Sequence, residues 1–353
     1  MIAQETLIPK EEVFKRIENA KKKLGRNLLI LAHYYQSEDI VRFADFVGDS
    51  LQLAQEASQR RDVKYIVFCS VSFMADMTKI ICSEDQEVLL PATDAQCPLA
   101  EMANIKDIEK AWIEVNKIRK DVIPIVYVNS TADLKAFCGR NGGTVCTSSN
   151  AEKVFKWAFS QNAAIFFFPD ENLGRNISLS LGIPNNEQFI WNPKSGIKAA
   201  NIDLLKNAKV ILWKGFCYVH KLFLVKHIEN LKTQYHGLKV VVHPECVPEV
   251  CAHSDFVGST SFIKKTVDES ESGSKWAVGT EWNLVNRLAI QNPDKQVIPI
   301  GVSTCCEMKS ITPEKLLYVL EGLVDGKTYG QVNVPGFIAD DARIAVRRML
   351  DII

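Results

Sequence analysis

Eight short apolar runs recur along the chain: NLLILAHYYQ, KYIVFCSVSFMAD, VIPIVYVNSTAD, AAIFFFPDENLG, KVILWKGFCYVH, KVVVHPECVPEVC, KWAVGTEWNLV and KQVIPIGVSTCCEM. Each is continuous rather than alternating, and each breaks into polar or reactive residues at its C-terminal end. Strands that are apolar on both sides belong to parallel sheets covered by helices on both faces. Stretches with helical spacing, among them 151–162 and 313–324, separate the runs. Near the start, Val13, Ile17 and Leu24 fall at helical spacing among charges and predict a surface helix. The pattern predicts an α/β chain. With no low-complexity linker and no strong repeat, the spacing of strands allows about three units of roughly 100 residues, a common domain size.

In parallel α/β sheets, ligands bind outside the carboxyl ends of the strands. Here that edge carries His33, Tyr35, Tyr127, Asn129, Cys217, His220, His243, Glu245, Cys246 and Glu281. Three pairs share an i, i+2 relation: His33 with Tyr35, Tyr127 with Asn129, and His243 with Glu245. If strand geometry persists, both members of each pair project to one side. Three pairs of acid–base and donor groups at three strand ends point to one shared pocket. Hydroxyl-rich turns add to it. Ser50, Ser148 with Ser149, and Ser259 with Thr260 precede helical stretches, where free N–H groups bind anions.

Composition narrows the function classes. The chain has 353 residues, 47% of them hydrophobic, with 42 Lys+Arg against 42 Asp+Glu. A net charge of zero offers no basic surplus for nucleic acid or for a membrane surface. The N-terminal residues lack the apolar stretch of a signal peptide, and no run approaches transmembrane length, so a cytoplasmic protein is expected, or a stromal one if plastid-encoded.

The ten cysteines form no small-domain disulfide framework in a chain of this size. Cys69, inside YIVFCS, reads as core. Cys97 in PATDAQCPLAEM, Cys217 in WKGFCYVH and Cys305 in VSTCCEMK each follow a strand or turn beside a residue that could open a helix. They lie too far apart for a zinc finger or ribbon. One thiolate from each unit suits an iron–sulfur cluster better, though three unrelated thiols have the same spacing. Cys138, Cys146, Cys246 and Cys251 read as non-ligands, and Cys306 competes with Cys305.

Taken together, these blocks closely resemble the quinolinate synthase family, the A protein of NAD biosynthesis. LAHYYQ, GDSLQLA, SVSFMAD, CPLAEM, VYVNSTAD, CTSSNA, PDENLGRN, KGFCYVH, HPEC, SDFVGSTS, VGTEWNLVNRL and CCEMKSIT fall in family order and span most of the chain. The resemblance implies three pseudo-threefold-related α/β/α units around a central 4Fe–4S cluster. We set them at 1–108, 109–225 and 226–324, with 325–353 packing back on the first. It implies condensation of iminoaspartate with dihydroxyacetone phosphate to quinolinate, phosphate and water. A link to the L-aspartate oxidase or dehydrogenase that makes iminoaspartate follows, with no nucleic-acid or membrane partner.

The family's cluster ligands fall on Cys97, Cys217 and Cys305, leaving one iron open as a Lewis acid. Met308, three residues after Cys305, favours that cysteine over Cys306. The doublet CC departs from the commoner proline after the ligand, and Asn283 departs from a common glycine. Substrate contacts fall on His33, Ser50, Tyr127, Val128, Asn129, Ser148, His243, Pro244, Glu245, Ser259 and Thr260. Proton transfers fall to His33, Tyr35, Tyr127, His243 and Glu245, with Tyr35 the family's mobile tyrosine. The rivals are an aconitase-type hydro-lyase, an iron–sulfur sensor, and a zinc enzyme with Cys or His ligands.

Overall fold

The computed structural model describes residues 8–197 and 201–352. The residues at the very start and Ile353, included in the expectations above, lie outside the described residues. All eight apolar runs form strands, and five further strands join them in three wholly parallel sheets.

The first sheet holds β1 (Leu28–His33), β2 (Phe46–Gly48), β3 (Tyr65–Cys69) and β4 (Glu87–Leu89), in the order β2-β1-β3-β4. The second holds β5 (Val122–Tyr127), β6 (Thr144–Cys146), β7 (Ala164–Phe168), β8 (Gln188–Trp191) and β9 (Val210–Trp213), in the order β6-β5-β7-β9-β8. The third holds β10 (Lys239–Val242), β11 (Phe256–Val257), β12 (Lys275–Gly279) and β13 (Gln296–Pro299), in the order β11-β10-β12-β13. The first and third orders are the same, and the second adds only the edge strand β8. The chain is thus three α/β/α units of one design, although its sequence shows no strong repeat. Local chemistry repeats too. Asp45 Oδ2 accepts from the N–H of Ile30 at 2.8 Å, and Asp255 Oδ2 accepts from Val240 at 2.7 Å, each pinning the first strand of its unit.

Burial follows the continuous apolar pattern. β1, β7 and β9 are buried at every position, as strands covered on both faces must be. One apolar core runs through the first and second units. The third unit has clusters of its own, one of which takes in Tyr34 from the turn after β1. The helix Lys10–Leu24 buries Val13, Ile17 and Ala20 and pairs Arg16 with Glu321 of the helix Pro313–Val324 at 2.6 Å.

The C-terminal segment meets the first unit at the edge of β4, where Leu90 N–H donates to Gly330 O at 2.8 Å. Gly330 has φ 72°, and a side chain there would collide with the Leu90 carbonyl. The helix Gly336–Asp351 then crosses to the second unit, where Gly139 in the helix Ala132–Arg140 lets the Asp341 carbonyl approach. On the first unit the same helix is tied by Arg343 Nε to the Ile80 carbonyl at 2.8 Å. Ala339, Ala342 and Ala345 make its buried stripe narrow enough to lie between two units.

Candidate active site

Because the three units share one strand plan, equivalent loops supply equivalent chemistry to one cavity. The first strands, β1, β5 and β10, lead into His33 and Tyr35, Tyr127 and Asn129, and His243 and Glu245. The second strands, β2, β6 and β11, lead into Asp49 and Ser50, Ser148 and Ser149, and Ser259 and Thr260. Cys97 follows β4, Cys217 follows β9, and Cys305 follows β13, the last strand of each unit in chain order. All three thiols line the cavity.

The i, i+2 pairs share the cavity for a different reason than strand alternation. β1 ends at His33, β5 at Tyr127 and β10 at Val242, so turns carry the second member of each pair inward. Val128 is buried in the core, held by its N–H to the Cys146 carbonyl at 2.8 Å. Pro244 and Ser259 line the neighbouring groove instead, and Ser259 Oγ caps the helix Thr260–Asp268. Cys306 is exposed and stands off the cavity wall, whereas Cys305 is on it.

Electrostatics centre on Glu245, which is almost fully buried. Its Oε2 lies 2.6 Å from His220 Nδ1 and 3.5 Å from His243 Nδ1, and the two imidazoles stack with centroids 4.4 Å apart. Burial pushes the Glu245 carboxyl up, but His220, His243 and the Tyr127 phenol together outweigh it and hold it at about 2. His243 is pushed down to about 3 by burial and by His220, and His33 to about 4 by burial. Both are therefore neutral at neutral pH. His33 Nδ1 accepts from the Tyr35 N–H at 3.2 Å, which places the His33 proton on Nε2. Burial first, then Glu245, holds the Tyr35 and Tyr127 phenols protonated.

A relay runs through this centre. The Tyr35 hydroxyl lies 3.2 Å from His220 Nε2 and 2.8 Å from Thr280 Oγ1. On its other side, His220 Nδ1 has no aligned hydrogen-bond partner, and Glu245 Oε2 faces it as an ion-pair contact. Hydroxyl, imidazole and carboxylate thus stand in the sequence of a hydrolase triad. Beside it, Asp49 joins all three units. Its Oδ1 caps the helix Ser50–Gln59, and its Oδ2 accepts from Ser149 Oγ at 2.6 Å and Ser261 Oγ at 2.5 Å.

A sequence profile of the quinolinate synthetase A protein matches residues 15–351. The chain belongs to the quinolinate synthetase A protein family. It is 44% identical to a quinolinate synthase of Bacillus cereus (strain G9842), over 98% of this chain and 97% of that protein. It is 45% identical to one of Halalkalibacterium halodurans, over 96% of this chain and 93% of that protein.

For a quinolinate synthetase A protein, sequence reasoning left several members of this site without a role. The sequence marks His220 only as a strand-edge residue, although it lies one helical turn from Cys217, a spacing that brings two side chains together. Asp49 hid as a capping residue. Glu307 and Tyr218 gave no sequence signal: Tyr218 Oη donates to Glu307 Oε2 at 2.7 Å, and Cys305 Sγ lies 3.4 Å from the same oxygen. Cys217 Sγ, a His220 nitrogen and a Glu245 oxygen also lie within 4.8 Å of one another, a donor set able to hold a metal ion.

Proposed function

We propose that this chain condenses iminoaspartate with dihydroxyacetone phosphate to give quinolinate, phosphate and water, using a 4Fe–4S cluster held by Cys97, Cys217 and Cys305. The observation that carries the reading is the meeting of three free thiols, one from each unit, in the cavity that also holds the Tyr35–His220–Glu245 relay. The donor set fits the group. Soft thiolates suit iron–sulfur clusters, and burial holds these thiols protonated, Cys97 at about 12 and the others also raised. Only a strongly bound metal centre makes such buried thiols into ligands. The mixed Cys217–His220–Glu245 set fits a lone ion less well, because its nitrogen and oxygen already engage each other and it leaves Cys97 and Cys305 unused.

When bound, the cluster supplies a Lewis-acidic iron that polarises a substrate carboxylate or a departing hydroxyl. The protein's own groups do the rest. His220 takes the Tyr35 proton at Nε2, and Glu245 stabilises the imidazolium that results. The Tyr35 phenol thereby gives and takes a proton at the reacting carbon or hydroxyl. His33 offers its Nε2–H as a neutral donor.

Among the described residues the cavity wall carries no lysine or arginine. Carboxylate and phosphate oxygens are instead met by Ser50 and Thr260, the first residues of two helices, and by Ser148, whose Oγ lies 3.2 Å from His243 Nε2. Burial keeps water from hydrolysing iminoaspartate, supplied by an L-aspartate oxidase or dehydrogenase, and a reducing cytoplasm protects the cluster.

The test is turnover by anaerobically purified protein. Quinolinate should form from iminoaspartate plus dihydroxyacetone phosphate with no stoichiometric reductant. Dehydration of citrate-like hydroxy acids, without quinolinate, would instead establish the hydro-lyase.

A further inference from the structure

The turn after β1 is gripped, carbonyl by carbonyl, by the third unit. Asn283 Nδ2 donates to the Tyr35 carbonyl at 3.0 Å. The buried Arg287 guanidinium takes the carbonyls on either side: Nη1 to Tyr34 O at 3.0 Å and Nη2 to Gln36 O at 2.5 Å. Thr280 Oγ1, fully buried, lies 2.8 Å from the Tyr35 phenol itself. Asn283 and Arg287 stand four apart on the helix Trp282–Gln291, and Thr280 precedes its N-cap, so one helix end presents the whole set. The Tyr34 side chain packs into the same unit, against Val241, Ile263 and Trp276 among others.

Three consecutive carbonyls bound by side chains of another unit are more than a turn needs for its own stability. Within the turn, the Gln36 N–H already returns to the His33 carbonyl at 2.9 Å. The added contacts fix where the turn sits relative to the third unit, and so where the Tyr35 hydroxyl sits relative to His220. The same segment reaches the Cys305 loop: Glu281, which caps this helix, accepts the Cys305 N–H at 3.4 Å.

We propose that Asn283, Arg287 and Thr280 form a latch that holds Tyr35 against His220, and that they are positioning residues for the reaction acting through Tyr35. The proposal rests on the reading of Tyr35 as the proton-transferring group. Asn283 stands where the resemblance puts a common glycine, and one grip on the Tyr35 backbone comes from a side chain that glycine lacks. Releasing the latch frees the turn to move while the first and second units keep their shared core.

The test is a double-mutant cycle on the cluster-loaded enzyme. Asn283→Gly should lower kcat about five- to tenfold, the worth of one backbone hydrogen bond expressed in the transition state, with KM, iron content and melting temperature unchanged. Arg287→Lys, which keeps the charge but loses the two-pronged grip, should cost about tenfold or more. In a Tyr35→Phe background neither substitution should slow the enzyme further. Hydrogen exchange at residues 33–38 should quicken in both single variants. Equal losses in the two backgrounds, or unchanged exchange at 33–38, would overturn the latch. A Tyr35→Phe enzyme of full activity would instead overturn the role given to Tyr35, and the exchange measurement would still judge the latch.

Discussion

Replacing Cys305 with serine is expected to abolish both the brown chromophore and quinolinate formation, while Cys306→Ser leaves both intact. The two residues are neighbours, yet Cys305 lies on the cavity wall and Cys306 is exposed outside it. Cys305 precedes the short helix Cys306–Lys309, and its backbone N–H is fixed by Glu281. That anchoring aims one sulfur inward and leaves the next in solvent. Cys97→Ser and Cys217→Ser are expected to match Cys305→Ser, because a serine hydroxyl is a poor substitute for a thiolate on iron. Iron and sulfide analysis with a visible spectrum reads the outcome. Retention of a full cluster in any of the three, or its loss in Cys306→Ser, would reassign the ligands.

The second large effect is expected in the relay. Tyr35→Phe removes only the hydroxyl that faces His220, and Glu245→Gln removes the charge that His220 needs when it takes a proton. Each should lower kcat about a hundred- to ten-thousandfold, the usual worth of general acid–base catalysis. Cluster content should stay full, and Tyr35→Phe should melt close to the parent protein. Glu245→Gln also leaves two stacked imidazoles without their carboxylate, so some loss of stability accompanies it. The pH profile separates this relay from its neighbours. His33 and His243 are held at about 4 and about 3, so neither contributes an inflection between pH 5 and pH 8. Their protonation removes neutral donors and acceptors only as the pH falls toward 4. A loss of iron that parallels the loss of rate would mean that Glu245 builds the site rather than working in it.

The fold was legible because strands buried on both faces cannot hide their composition. Every run such as AAIFFF or KVVV became a strand, with Phe166, Phe167 and Phe168 wholly buried. Of the strands that escaped notice, β2, β4, β6 and β11 are two or three residues long and too short to show a pattern, and β8 is only half-buried at alternate positions; β11, Phe256–Val257, is even exposed. The threefold plan was legible through strand spacing and the family resemblance but not as a repeat, because it is carried by strand order and loop position rather than by identical residues. The loops after the first strands hold a histidine, a tyrosine and a histidine, which share a place and not a type.

The site was legible in part. Strand-end polar residues and hydroxyl-rich turns led to most of the polar groups on the cavity wall, since parallel sheets gather function at one edge. Asp49, Thr280 and Arg287 stayed silent because their roles are contacts between units. Arg287 reads in sequence as one polar position on an amphipathic helix, and only the assembled units show its guanidinium on the carbonyls of Tyr34 and Gln36. Cys217, by contrast, was visible through its motif but not through spacing. Cys97 and Cys305, which share its cavity, come from other units, beyond the reach of any local pattern.

One thiol from each unit is expected to hold a single cluster whose remaining iron meets the substrate. Mössbauer spectroscopy of the anaerobic, iron-57-labelled protein, with and without quinolinate, tests it most directly. About four irons per chain are expected in one 4Fe–4S centre, with product shifting the signal of a single iron and leaving the thiolate-held ones in place. A spectrum indifferent to quinolinate, or a protein that carries zinc in place of iron, would contradict it.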